Sequence, residues 1–206
     1  MSLIGIASLL IQRVRSVILA CVVLGSIAAC SPSNNPTNTE SGASSAPNGV
    51  IYCSESNPTY FNPQLDPSSP TSDASAHQIY SRLLDFNQTT GRIEPALASS
   101  WLVSEDGLTY TFQLRRDVQF HNTDFFTTSR NFNADDVIFS FERWLDPQHP
   151  FHKVNGGNYP YFSSINLPST IASIERINGY RVEISLYKPD SSFLANLATD
   201  FAVILS

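Results

Sequence analysis

"SSWLVSEDGLTYTFQLRRDVQFH", Ser99 to His121, is the stretch whose reading decides the fold. Trp101 and Val103 alternate with Ser100 and Leu102. Asp106-Gly107 is a tight-turn pair, because both residue types tolerate positive φ. After it Tyr110, Phe112 and Leu114 fall on one side, and Thr109, Thr111, Gln113 and Arg115 on the other. A period of two on both sides of a turn predicts a β-hairpin with one face in a core and one in water. Glu105 and Asp106 are adjacent carboxylates, but neighbours in a tight turn project apart. Acid–base chemistry needs carboxyls that converge on a substrate, so this pair is assigned to the turn.

The same pattern recurs downstream. "ASIERINGYRVEISLYKP" predicts a second hairpin turning at Asn178-Gly179, with Val182, Ile184 and Leu186 on one face. Between the hairpins, "NADDVIFSFERWLD" predicts a helix. Asn133 is its N-cap, Asp135 and Asp136 suit its positive end, and Pro147 stops it. Val137, Ile138, Phe141, Trp144 and Leu145 form its apolar stripe. A last helix is expected from Ser191 onward, with Phe193, Leu194, Leu197, Ala198 and Phe201 as its stripe, running on to Ser206. "VIYCSE", Val50 to Glu55, predicts a buried strand. The proline-rich stretch from Ser56 to Asp73 predicts irregular structure. "ASAHQIYSRLLDF", Ala74 to Phe86, predicts a helix on the spacing of Ile79, Leu83 and Phe86, and His149 to Phe162 a loop. Strands and helices together give a mixed α/β (α+β) chain.

Composition agrees with a folded domain. Among 206 residues, 42% are apolar and 15% charged, and thirteen Phe and eight Tyr supply material for a core. The net charge is −6, with Lys153 and Lys188 the only lysines. An acidic chain without a basic cluster excludes nucleic acid as the main partner.

The N-terminus reads as an export signal. Arg13 and Arg15 precede an apolar run, Val17 to Ala29, that is short of the about 20 residues needed to span a bilayer. Small residues then lead into Cys30. Residues 1–29 are expected to be a lipoprotein signal peptide and Cys30 the lipidated residue; a plain secretory signal is the alternative. Residues 31–49 are rich in Ser, Asn, Pro, Thr and Gly, so 30–49 is read as anchor plus flexible tether. The protein is expected in the cell envelope, periplasmic and membrane-anchored, where conditions are oxidising. Cys21 leaves with the signal and Cys30 is lipidated, so Cys53 is left without a partner.

Catalytic chemistry is hard to find. His149, His152 and Asp146 are the nearest approach to a metal site, which needs three convergent ligands. Asn155 to Gly157 lacks the length of a phosphate loop, and no nucleophile motif is present. No catalytic residue, metal or cofactor is assigned, which favours a binding protein.

Here the residues resemble a family. "YCSESNPTYFNPQL" resembles the opening of the dipeptide-binding proteins of bacterial ABC importers, within the family 5 solute-binding proteins. "ALASSWLVSEDGLTYTFQLRRDVQFH", "NADDVIFSFERWLDPQHPFHKVNGGNYPYF" and "PDSSFLANLATDFAVILS" are similar to the same family. "TDFFTTSRNFNADDV" also resembles its Sap-type antimicrobial-peptide-binding branch. The resemblance covers residues 50–206. It implies a two-lobed periplasmic binding protein, present as an N-terminal fragment, with 50–80 starting the first lobe, 81–206 its inserted subdomain, and the second lobe missing. It also implies a later cysteine as the partner of Cys53. The loop Asp66 to Asp73 would face the cleft, making Ser68, Ser69 and Thr71 candidate ligand donors. The implied partners are a peptide ligand, an inner-membrane permease and the membrane through the anchor, with the protein a monomer. A Sap-type or haem-binding protein of the same family is the near alternative. A truncated, non-binding surface lipoprotein and a metal-dependent surface hydrolase built on His149, His152 and Asp146 are alternatives of another class.

Overall fold

The computed structural model describes residues 53–206. The expected signal peptide, Cys30, the tether and residues 50–52 lie outside the described residues. Residues 53–55 form no strand, and Cys53 is an exposed free thiol.

Both predicted hairpins are present and combine into one antiparallel sheet. β3 (Ala98–Val103) and β4 (Thr109–Leu114) form the first, and β5 (Ile171–Asn178) and β6 (Arg181–Leu186) the second. β4 pairs with β6, giving the order β3-β4-β6-β5. Two strands far apart in sequence therefore sit at the centre. Their alternation is what fixes the register: Tyr110 faces Ile184 and Phe112 faces Val182, and all four are buried. A slip by one residue would turn both apolar rows into water. In the first turn only Gly107 has positive φ, +70°, and its N–H bonds to the Ser104 carbonyl at 2.9 Å. The Asp106 carboxylate accepts from the Ser104 hydroxyl and the Leu108 N–H, which is the turn role expected of it.

A smaller two-stranded sheet precedes the main one. β1 (Leu84–Asn87) pairs antiparallel with β2 (Arg92–Pro95). This overturns the helix expected over 74–86. A short apolar run cannot separate strand from helix by spacing alone. The turn that decides it was legible: the Asn87 side chain accepts from the Thr89 and Thr90 N–H groups, and Gly91 adopts φ +68°. Ile79 and Phe86, two positions of the supposed stripe, are exposed, while consecutive Leu83 and Leu84 are buried.

The proline-rich segment is not wholly irregular. A short helical turn, α1 (Ser69–Thr71), continues as a π-helical turn over Ser72–Ala76. Pro70 fits because the first helical turn has no acceptor for its missing N–H.

The central helix is α2 (Ala134–Leu145). Asn133 caps it by accepting from the Asp135 N–H at 2.8 Å, and the Asp136 carboxylate accepts from the Asn133 N–H at 2.9 Å. Asp136 is buried and also takes both ends of the Arg130 fork, at 2.7 and 2.9 Å. The Ala134 N–H bonds to the Gly179 carbonyl, which ties the start of the helix to the β5–β6 turn. Val137, Phe141 and Trp144 are buried, and the helix lies against β5 and β6.

After α2 the expected loop contains a 3-10 turn (Val154–Gly157) and two short helices, α3 (Pro160–Ser164) and α4 (Leu167–Thr170). Phe162 of α3 stacks on Trp144, centroids 4.3 Å apart. The last helix, α5 (Phe193–Leu197), is one turn long and its N-cap is Ser192, not Ser191. It does not continue to Ser206. Residues 202–204 leave it as buried extended chain, with Val203 bridged to Arg82 and the Ile204 N–H bonded to the Ser81 carbonyl at 2.9 Å. Within the apolar ending "FAVILS", Ala202, Val203 and Ile204 are buried, and backbone pairing of Val203 and Ile204 with Arg82 and Ser81 holds them there. Among the described residues, no helix is long and apolar enough to cross a membrane.

Candidate functional site

The sequence-predicted loop begins at Asp66, and its chemistry turns inward. The Asp66 carboxylate accepts from the Ser68 N–H at 3.0 Å, the Ser68 hydroxyl at 2.7 Å and the Thr71 hydroxyl at 2.6 Å. Thr71 is fully buried. Two of the three candidate donors are therefore engaged in building the turn. Ser69 is exposed, and among the described residues its hydroxyl takes no part in the Asp66 turn. Burial resists ionisation of Asp66, but the hydrogen bonds from Thr71 and Ser68 outweigh it and hold the carboxyl below its ordinary value of 3.8. The stabilisation is thus complete above about pH 4 and fades as pH falls through the folded-state value. Asp66→Asn should lower stability near neutral pH, and the gap to the parent should close in acid. Urea unfolding at several pH values checks this; a gap independent of pH would refute it.

Behind the loop lies a buried polar knot. Gln64 is 1% exposed. Its Nε2 donates to the Val203 carbonyl at 3.0 Å and the Ser140 carbonyl at 3.3 Å. Its Oε1 accepts from Nη2 of Arg143. The Ser140 hydroxyl accepts from the Leu205 N–H at 2.8 Å. One side chain from before the sheets thereby ties α2 to the chain at Val203. Nothing in the local pattern "NPQLDP" marks Gln64 as buried, since its partners are 76 and 139 residues away.

Two hollows open on the surface of the described residues, the second of them beside Arg143 of this knot. One, of about 590 Å³, mixes the charged side chains of Arg82, Asp85 and Asp200 and the His77 ring with the aromatic rings of Phe86, Tyr161 and Phe201. Asp200 accepts from Ser72 at 2.9 Å, lies 3.1 Å from His77 Nε2 and pairs with Arg82. The other, of about 530 Å³, is aromatic, lined by Tyr80, Phe120, Phe126, Phe132 and Phe139, with Arg143 among them.

His149, His152 and Asp146 do not converge. His152 Nδ1 lies 2.9 Å from the Arg143 carbonyl, His149 Nδ1 accepts from the Phe151 N–H, and Asp146 accepts from the Gln148 N–H. Among the described residues, no three His, Cys, Asp or Glu are grouped to hold a metal. The hydrolase alternative loses its site.

Comparison with known proteins places this architecture. Residues 92–206 match the family described as bacterial extracellular solute-binding proteins, family 5, middle. The heme-binding protein A of Haemophilus influenzae is 44% identical over 91% of this chain and 34% of its own length. The dipeptide-binding protein of Escherichia coli is 48% identical over 76% of this chain and 29% of its own. Among solved structures, the dipeptide-binding protein of Pseudoalteromonas sp. SM9913 in complex with Met-Leu superposes with TM-score 0.74 and 46% identity, covering 76% of this chain and 31% of that one. The chain spans about a third of the length of these curated relatives. With the mixed α/β fold and the family match in agreement, the chain belongs to the family 5 bacterial extracellular solute-binding proteins.

Proposed function

We propose that the chain is the N-terminal portion of a periplasmic peptide-binding subunit of an ABC importer, lipid-anchored through Cys30 and delivering its ligand to an inner-membrane permease. The observation that supports this best is the likeness, at 46% identity, to a binding protein solved around the dipeptide Met-Leu. In this reading residues 50–80 begin the first lobe, 81–206 form its inserted subdomain, and a later cysteine pairs with Cys53. Ser69 is the ligand donor of the Asp66 turn, since Ser68 and Thr71 serve Asp66 instead. A closed cleft offsets the desolvation of a peptide's charged ends with fixed donors and opposite charges, and hinge closure presents the loaded shape to the permease.

Calorimetric titration tests the reading. Met-Leu should bind saturably to this chain completed by the rest of a two-lobed protein, and weakly or not at all to the 206 residues alone. A completed protein that binds no peptide would sink the proposal. Labelling with radioactive palmitate tests the anchor: the label should enter the parent chain and be absent from Cys30→Ala.

Haem is the second reading, favoured by the match to heme-binding protein A, which extends over 187 residues of this chain. Saturable hemin binding in place of Met-Leu would select it.

A further inference from the structure

The exposed Ser69 sits in α1, a helical turn of three residues. Helices this short do not persist on their own backbone bonds, so the turn takes its order from whatever fastens it. The bonds of Asp66 to Ser68 and Thr71 close the turn on itself. Its hold on the rest of the fold lies at the two ends. Before it, Gln64 reaches α2 and Val203. After it comes Ser72, whose N–H bonds to the Ser68 carbonyl at 3.0 Å and whose hydroxyl donates to Asp200 at 2.9 Å.

Asp200 gathers more than Ser72. His77 Nε2 lies 3.1 Å from the same carboxylate oxygen, and Nη1 of Arg82 donates to the other. Groups spread over positions 72–82 thus converge on one side chain 118 to 128 positions away. The backbone between them is well packed: Thr71, Ser72, Ser75 and Ala76 are buried, and the Ser75 hydroxyl donates to the Thr71 carbonyl at 2.5 Å. A carboxylate suits this place because both of its oxygens accept, each from more than one donor. An amide at position 200 has one oxygen and one NH2 group, so either Arg82 or Ser72 loses its acceptor.

We infer that Asp200 is a positioning residue for ligand binding: it holds α1 in one conformation, so that the Ser69 hydroxyl is already in place when ligand arrives. The inference rests on the solute-binding reading above, in which Ser69 donates to the ligand. Asp200 acts through Ser72 and the turn, and its contribution is preorganisation. A turn ordered only part of the time lowers the apparent affinity by that same fraction.

The test uses this chain completed by the rest of a two-lobed protein, with Met-Leu and hemin as probes in calorimetric titration. Asp200→Asn should weaken binding about tenfold, as for a turn competent about a tenth of the time. Ser72→Ala, which changes no charge, should weaken it by a smaller factor. Ser69→Ala/Asp200→Asn should bind as Ser69→Ala does, since a turn without its donor gains nothing from being held. Ile184→Val, in the core of the sheet, should lower the melting temperature and leave affinity unchanged, which separates positioning from a general loss of stability. Parent-like binding by Asp200→Asn, or losses from Ser69→Ala and Asp200→Asn that multiply, would overturn the inference. Hydrogen exchange on the 206-residue chain is a second readout that needs no ligand. The Ser72 amide should exchange about tenfold faster in Asp200→Asn while the amides of β4 and β6 stay as they are; an unchanged Ser72 amide would equally overturn it. If the completed parent binds neither probe while the exchange result holds, the transport reading falls and Asp200 stands as the anchor of the turn alone.

Discussion

Phe112→Ala should lower the unfolding free energy by about 3–5 kcal/mol, the range for truncating a buried aromatic ring. Phe112 is fully buried. It sits on the central strand β4, opposite Val182 on one side and Trp101 on the other. Removing the ring therefore opens a void between both halves of the sheet, and the neighbours cannot collapse into it without breaking the pairing of β4 with β6. Typical domains are stable by only about 5–15 kcal/mol, so the variant should be close to unfolded in mild denaturant. Leu102→Ala, on the adjacent wet face where the side chain is 75% exposed, should change stability by less than about 0.5 kcal/mol. Chemical denaturation followed by tryptophan fluorescence checks both. Similar small effects from the two would contradict the register.

The second large effect is expected from Gln64→Leu. The substitution preserves approximate volume but strips the Val203 and Ser140 carbonyls of a donor and takes the acceptor from Arg143. Leaving a buried polar group unsatisfied costs about 1–3 kcal/mol, more beside a charge, so a loss of about 2–4 kcal/mol is expected. Hydrogen exchange should locate the damage: amides of residues 203–205 should lose protection before those of β4 and β6. The double variant Gln64→Leu/Arg143→Met should lose less than the sum of the two single changes, because each change alone strands the buried group of the other. Strict additivity would mean that Gln64 and Arg143 do not act as a pair.

The limits of sequence reading follow the range of the interactions. Local signals were reliable. Asn133, Asp136 and Pro147 bound α2 because capping uses residues within one turn of each other. The hairpins at 98–114 and 171–186 followed from alternation and turn chemistry within a few residues. The weak places were those where a distant partner decides. Residues 82–87 are a mixed case: Val203 bridges Arg82 from far along the chain, but Leu84–Asn87 extend to pair with β2 across the Asn87–Gly91 turn, a local signal that helical spacing masked. "FAVILS" continues a helical stripe, but Ser81, Arg82 and Gln64 draw residues 203–204 into extended chain.

The candidate site shows the same division. The wording of residues 50–206 was enough to suggest the family, because long motifs in order are themselves sequence facts, and the family match now establishes it. The role of single side chains was not available there. Ser68 and Thr71 are ordinary hydroxyls in a proline-rich loop until Asp66 is seen to take both. Arg143 is one more charge at the end of a helix until the fold buries it against Gln64 and leaves its Nε unpaired. Sequence by itself determined the two hairpins of the four-stranded sheet, the central helix and the family resemblance, whose causes lie between near neighbours. Only the tertiary structure decided which polar groups are satisfied, since desolvation depends on residues such as Ser140, Arg143 and Val203, 76 to 139 positions from Gln64, meeting it in one place.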